Sequence, residues 1–262
     1  GARGRLGRSA AGLLRRTVYI GELGLDGSVH SVRGVLPSVQ AAVVAGVEEI
    51  VVAREAAAEA ELVPGARVTA ISHIGQLVDR YGGRLSAAVA AAVEQIAELR
   101  DDADPAAAQD REPPDLADVV GQAEARRALE VAAAGGHHLI MVGPPGTGKT
   151  MLAERLPSIL PPLERSDAVT VTSIHSVAGT FNPAHGLITR PPLRAPHHTA
   201  TRAAVVGGGS GLPRPGDVSL AHRGVLFLDE APEFSAGVLD CLRQPLESGT
   251  VTIDRVGGRA SY

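Results

Sequence analysis

The chain has 262 residues, enough for two domains with their own cores, and its 25 basic against 29 acidic side chains give a formal net charge of -4 that marks no global polyanion or membrane partner. A single cysteine, Cys241, excludes an internal disulfide and reads as core filler, while 2% aromatic content without tryptophan leaves little base-stacking surface. No apolar run reaches the length of a membrane span, and the whole reads as a soluble, cytoplasmic protein.

The opening stretch carries Arg3, Arg5, Arg8, Arg15 and Arg16 with no acid, a composition shared with transit peptides. From there Val18 to Leu25 reads as a strand, Asp26-Gly27 as a tight turn and Val29 to Val32 as a returning strand. Pro37 opens a helix through Ala45 that Gly46 caps, and Glu49-Ile50-Val51-Val52-Ala53 is a short buried strand. The alternation then repeats, with a helix over 54–61, a strand around 67–71, a helix over 74–81 and an alanine-rich helix over 85–99. Residues 101–115, bearing Asp102, Asp104, Pro105, Asp110, Glu112, Pro113 and Pro114, read as an acidic linker between domains over 1–100 and 116–262.

In the second domain Asp118-Val119-Val120-Gly121-Gln122 precedes an amphipathic helix, Ala123 to Ala134, that ends at Gly135-Gly136. A strand, His138 to Val142, then delivers Gly143-Pro144-Pro145-Gly146-Thr147-Gly148-Lys149-Thr150, a full G-x-x-x-x-G-K-[ST] loop. Its glycines let backbone N–H groups turn inward around a β-phosphate, its lysine neutralises β/γ charge, and its threonine hydroxyl reaches Mg²⁺. Lys149 is the only lysine among the 25 basic residues, so a composition that otherwise uses arginine keeps a compact ammonium here. The following helix runs from Gly148 to about Leu156, and Pro157, Pro161 and Pro162 close it off.

Thr170 to Gly179 reads as a strand and turn, and Gly224 to Leu228 as an apolar strand ending in Asp229 and Glu230. An Asp-Glu pair after a strand is by itself a common solvated turn. With the loop upstream it reads as the other half of a hydrolytic site, Asp229 holding Mg²⁺ and Glu230 polarising the attacking water. Adjacent strand residues point to opposite faces, which gives the two carboxylates separate tasks. His197 and His198 lie together in an arginine-flanked loop; a metal site would need further ligands, so they read as contacts to substrate or a neighbouring subunit. Ser235 to Leu246 is a helix, and Val251 to Gly258 is the first arm and turn of a hairpin. Opening at Gly1 without methionine and stopping at Tyr262 inside that hairpin, the sequence reads as truncated at both ends.

The run Gly21-Glu22-Leu23 through Gly27, Val32-Arg33-Gly34-Val35-Leu36-Pro37, Ala45-Gly46-Val47 and Ile50-Val51-Val52 resembles the C-terminal half of the Lon-type protease domain. In active Lon-type proteases a catalytic lysine follows the glycine corresponding to Gly34. Here Val35, Leu36, Pro37 and Ser38 stand in its place and arginine stays protonated, so the resemblance implies a Lon-like scaffold without protease chemistry.

The Asp118–Gln122 box, the phosphate loop, Arg194-Ala195-Pro196-His197-His198, Gly207-Gly208-Gly209, the run from Arg214 to Glu230 and Pro245-Leu246-Glu247 together resemble the Mg-chelatase-like AAA+ ATPases of the ComM/YifB type. The resemblance implies an α/β fold class: a partial Lon-protease-like α+β domain followed by an AAA+ P-loop NTPase parallel-sheet domain lacking its lid. It implies ATP and Mg²⁺ as cofactors, with Val119 and Val120 against the adenine and Gly143, Pro144, Pro145, Gly146, Thr147, Gly148, Lys149, Thr150 and Met151 around the nucleotide. Thr150 and Asp229 would then hold the metal, with Lys149 and Glu230 catalytic. The implied protein is a homo-oligomeric ring with no membrane partner, its ATP bound between subunits. The resemblance further implies action on DNA, as a helicase or branch-migration factor in recombination or competence; the alternative is the ATPase subunit of a magnesium chelatase. A sensor asparagine, an arginine finger and a helical lid would follow Tyr262. Physical support for DNA comes from Arg190, Arg194, Arg202, Arg214 and Arg223, against Asp217 as the one acid between 170 and 224.

Overall fold

A computed structural model of the chain describes residues 16–87, 89–91, 93–95, 114–208, 213–255 and 258–261. The arginine-rich opening up to residue 15, nearly all of the acidic linker and the third glycine of Gly207-Gly208-Gly209 lie outside the described residues. Internal contacts divide the chain into two compact units, Gly1–Ala108 with Gly179–Leu187, and Gln109–Ala178 with Ile188–Tyr262.

In the first unit β1 (Thr17–Ile20) gives way at Gly21 to a short hairpin of β2 (Glu22–Leu23) and β3 (Val29–His30). The hairpin turns where the Asp-Gly pair places it: the Asp26 carboxylate accepts from Ser28 N at 3.0 Å and from Ser28 Oγ at 2.6 Å, and Gly27 takes a φ of 87°. There follow α1 (Val35–Val44), β4 (Glu49–Ala53), α2 (Ala57–Glu61), β5 (Val68–Ile71) and α3 (Gly75–Arg80). The strands β1, β4 and β5 form a parallel sheet with β4 central, Thr17 opposite Glu49 and Ile50 opposite Val68. Parallel neighbours require crossovers over a sheet face, which is why Val51, Val52 and Ala53 are all buried although they alternate in direction. Val29, Val51, Ala53, Ile71 and Leu77 make one cluster against Tyr81. Val35 and Leu36, which stand where a Lon-type protease carries its lysine, are core residues exposing 0% and 1% of their surface.

The second unit begins with a 3-10 turn, Leu116–Asp118, whose first N–H groups are closed by a capping box: Ala117 N donates to Asp115 Oδ1 at 2.7 Å and Asp115 N to Asp118 Oδ2 at 3.3 Å. Then come α4 (Ala123–Gly135), α5 (Lys149–Ile159), α6 (Arg165–Ala178), β6 (Leu193–Arg194), α7 (Arg202–Val205), β7 (Gly207–Gly208), β8 (Arg214–Pro215), α8 (Asp217–Leu220), β9 (Val225–Leu226), α9 (Ala236–Ser248), β10 (Thr252–Arg255) and β11 (Gly258–Ser261). β6 and β9 pair in parallel, whereas β7 with β8 and β10 with β11 are antiparallel.

Four readings of this unit change. In the stretch over 170–179, expected as strand and turn, residues 170–178 are the second half of α6 and only the turn at Gly179 stands. Ala168, Val171, Thr172, Ile174 and His175 fall on one buried helical face, and this outweighs the strand preference of its β-branched residues. Their hydroxyls are absorbed locally, Thr172 Oγ1 donating to Ala168 O at 2.6 Å and Thr170 Oγ1 to Ser166 O at 3.0 Å. α5 passes through Pro157 and ends at Ile159. The terminal hairpin has both arms, Thr252 opposite Ser261 and Arg255 opposite Gly258. Residues 138–142 are not a strand: Met141 packs on the cluster of Leu116, Val119, Leu129 and Leu152, but Ile140 and Val142 point outward, 86% and 89% exposed. An apolar run on both faces suits a strand covered on both sides, and no paired neighbour stands beside it among the described residues.

Burial gives the unit a pH dependence. Desolvation lowers the His175 pKa below its ordinary 6.5, with Arg194 adding to the shift against the backbone contact to Leu220, and desolvation followed by Arg223 lowers that of His222. The folded state resists a proton that the unfolded chain takes up, so this stability is complete above about pH 6.5 and is lost as pH falls below it. Denaturation midpoints measured from about pH 7.5 to 5.5 are expected to fall, and His175→Gln is expected to shallow the slope; an unchanged slope would remove His175 from the effect.

Candidate nucleotide-binding site

The loop from Gly143 to Thr150 enters α5 through two left-handed glycines, Gly146 at φ 80° and Gly148 at φ 82°, the second being the residue that caps the helix. A side chain would be strained at either position. The loop closes on itself: Thr147 Oγ1 donates to Pro144 O at 2.9 Å, and Lys149 Nζ donates to Gly143 O at 2.8 Å and Pro144 O at 3.0 Å. The first N–H groups of the 11-residue α5 have no partner within their own helix, which makes its N-terminus a site for an anion.

β9 brings the acidic pair to the same place. Thr150 Oγ1 donates to Asp229 Oδ2 at 2.7 Å across a separation of 79 residues, while Glu230 N donates to the other oxygen, Oδ1, at 3.0 Å. Asp229 is thereby fixed at both oxygens. A hydroxyl and a carboxylate at this spacing are hard oxygen donors of the kind Mg²⁺ takes, so Thr150 and Asp229 would hold such a cation, which would neutralise phosphate charge. Among the described residues no group of three or more His, Cys, Asp and Glu is arranged to hold a metal ion. Glu230 has a φ of 52°, a left-handed conformation that costs a non-glycine residue about 1 kcal/mol or more. Its side chain is 66% exposed, with His198 Nδ1 lying 3.5 Å from Oε2.

The residues expected at the adenine separate. Val119 is buried with Leu129 and Leu152, and Met151 packs against the same cluster, whereas Val120 is 95% exposed. Gln122, at φ 49°, ties this box to the loop through Nε2, which donates to Thr147 O at 3.2 Å. Sequence reasoning missed that tie and the approach of His198 to Glu230; the second follows from the β6–β9 register, which no motif states. Two of the five arginines read as phosphate contacts have carboxylate partners: Arg194 places Nε 2.8 Å and Nη2 2.6 Å from Asp217 Oδ1, and Arg223 Nε lies 3.3 Å from Asp167. Arg190, Arg202 and Arg214 are exposed.

A glycine loop feeding a helix, a lysine within it, and a threonine meeting an aspartate at the tip of a parallel strand define a protein of the P-loop NTPase-like class in a mixed α/β setting. Residues 115–262 match the family described as magnesium chelatase, subunit ChlI, and residues 7–56 match that described as subunit ChlI of Mg-chelatase. The chain belongs to the Mg-chelatase-like AAA+ family of the ComM/YifB type. It is 51% identical over 249 residues to an uncharacterized protein of Mycobacterium tuberculosis, covering 95% of this chain and 47% of that one. It is 42% identical to the uncharacterized protein YifB of Salmonella typhimurium (93% and 45% covered) and 39% identical to competence protein ComM of Haemophilus influenzae (95% and 47%). The chain therefore spans about half the length of the relatives it matches, 47% in the first case. A partial likeness to Lon protease 2 of Bacillus subtilis, 30% identical, covers 54% of this chain and 27% of that protein. Among the described residues no helix is long and apolar enough to cross a membrane.

Proposed function

We propose that this chain is the nucleotide-binding part of an ATP-hydrolysing AAA+ motor that works as a homo-oligomeric ring. The observation that carries the reading is the 2.7 Å contact between Thr150 and Asp229, because two motifs far apart in sequence converge there on oxygen donors suited to Mg²⁺. The backbone N–H groups of Gly146 to Thr150 receive the phosphates, and Lys149 exchanges its bonds to Gly143 O and Pro144 O for phosphate oxygens. Thr150 and Asp229 hold the Mg²⁺, which when bound neutralises charge on the transferring phosphoryl group. Glu230 polarises the attacking water, which reaches its 66% exposed carboxylate from the solvent side. Val120 meets the adenine, with Val119 and Met151 supporting it from the core. The first domain, over 1–100 ahead of a linker at 101–115, serves as a Lon-like scaffold with no Ser/Lys chemistry.

The reading extends to DNA, as helicase or branch-migration factor in recombination or competence. Its support is the name of one relative, a competence protein, together with the exposed Arg190, Arg202 and Arg214. The alternative, a magnesium chelatase ATPase subunit, rests on the family description alone. In the full-length protein, branched or single-stranded DNA is expected to stimulate ATP turnover. Joint replacement of Arg190, Arg202 and Arg214 by alanine is expected to weaken DNA binding and lower its salt slope by about 0.7–0.9 per lost phosphate contact. No stimulation and no salt-sensitive binding would sink the DNA reading while leaving the nucleotide site intact.

A further inference from the structure

Three carbonyls of the phosphate loop are each engaged by a donor. Lys149 Nζ serves Gly143 O and Pro144 O, Thr147 Oγ1 also serves Pro144 O, and Gln122 Nε2 reaches Thr147 O at 3.2 Å from outside the loop. The last contact takes Gln122 away from its own helix. It is the N-cap residue of α4, a place that favours serine, threonine, aspartate or asparagine, yet its side chain caps no N–H of that helix. Its backbone is left-handed at φ 49° and ψ 41°, directly after Gly121 at φ 76°. The side chain lies hard against the loop, since a Cβ at Gly148 would come within 3.0 Å of Gln122 Nε2. The backbone around it is pinned, Arg126 N donating to Gln122 O at 2.9 Å and Arg126 Nη1 to Val119 O at 3.2 Å.

In a trans peptide the C=O and the N–H that follows it point in opposite directions, and no peptide bond among the described residues is cis. Holding Thr147 O therefore decides where the Gly148 N–H points. Thr147 stands between two left-handed glycines, Gly146 at φ 80° and Gly148 at φ 82°. Turning this peptide over reverses the sign of φ at Gly148, and glycine accepts either sign, so sterics alone do not hold the plane. Turned over, it would present a carbonyl to a phosphate in place of a donor. From this geometry we propose that Gln122 is the positioning residue for the Thr147–Gly148 peptide, keeping the Gly148 N–H aimed at the β-phosphate of a bound nucleotide. The inference rests on the reading of the loop as a phosphate site. Asparagine at 122 would carry the same amide and suit a left-handed backbone better, but it is one methylene shorter and falls short of Thr147 O.

The test uses the full-length protein with Mg²⁺ and fluorescent analogues of AMP, ADP and ATP. Gln122→Met, of similar length but without a donor, is expected to raise the Kd for ADP and ATP on the order of fivefold, the worth of one neutral hydrogen bond. The Kd for AMP, which has no β-phosphate, is expected to stay within about twofold, and kcat at saturating ATP likewise while KM rises. Gln122→Asn is expected to show the same loss for ADP and ATP with a thermal midpoint equal to or above that of the wild type. Wild-type affinity for ADP in both variants overturns the proposal. So does an equal loss for AMP and ADP, which would place Gln122 at the base, or a loss seen only in a variant whose thermal midpoint has fallen, which would make it a prop of the fold. A wild-type protein that binds none of the three nucleotides would instead remove the reading of the loop on which the inference rests.

Discussion

Replacing Glu230 with glutamine in the full-length protein is expected to lower ATP turnover by about 10²- to 10⁴-fold while ATP affinity and thermal midpoint hold. Affinity should survive because the residues proposed to hold the phosphates and Mg²⁺, Lys149, Thr150, Asp229 and the loop amides, are unaltered. Stability should survive because the side chain is 66% exposed and buries nothing when it changes. Bound ATP would then persist on the protein through gel filtration, and steady-state phosphate release would fall. Unchanged phosphate release would take Glu230 out of the mechanism.

The second large effect falls on Lys149. Its ammonium donates to Gly143 O and Pro144 O at 2.8 and 3.0 Å, both in an exposed loop, so Lys149→Ala should shift the thermal midpoint little. Nucleotide affinity is another matter. Two charge-assisted hydrogen bonds at about 1.5–3 kcal/mol each put the loss near 100-fold or more, readable by calorimetry with ATP and Mg²⁺. Lys149→Arg is expected to fail as well, although the rest of the chain's basic residues are arginine. A planar fork cannot curl back into a loop whose glycines leave room for one point charge. Full affinity in the arginine variant would show that charge alone, and not shape, is recognised.

How much of this was legible beforehand differs between the two units. In the first, β4 runs over the residues expected, Glu49–Ala53, and the hairpin turns at Asp26-Gly27, because dense apolar runs and Asp-Gly turns are local signals that tertiary contacts reinforce. In the second, α6 was hidden by its own composition: Thr170, Val171, Thr172 and Ile174 favour strands, and only the spacing of buried positions tells otherwise. The apolar character of 138–142 predicts a strand, but a strand needs a partner, and apolarity alone does not supply one. For the site, the encounter of Thr150 with Asp229 was legible since each motif needs the other. The meeting of His198 with Glu230 was not, because it depends on which strand lies beside β9 and in what register.

Three non-glycine residues among those described have positive φ: Gln122 at 49°, Arg223 at 57° and Glu230 at 52°. Gln122 touches the phosphate loop, Arg223 stands just ahead of β9, and Glu230 follows its end. At position 230 the backbone favours glycine or asparagine, while the proposed chemistry requires a carboxylate. Stability and the proposed turnover therefore ask for different residues at the same place, and a screen for thermal tolerance alone would drift toward Glu230→Gly, gaining about 1 kcal/mol and losing the carboxylate on which the proposed hydrolysis depends.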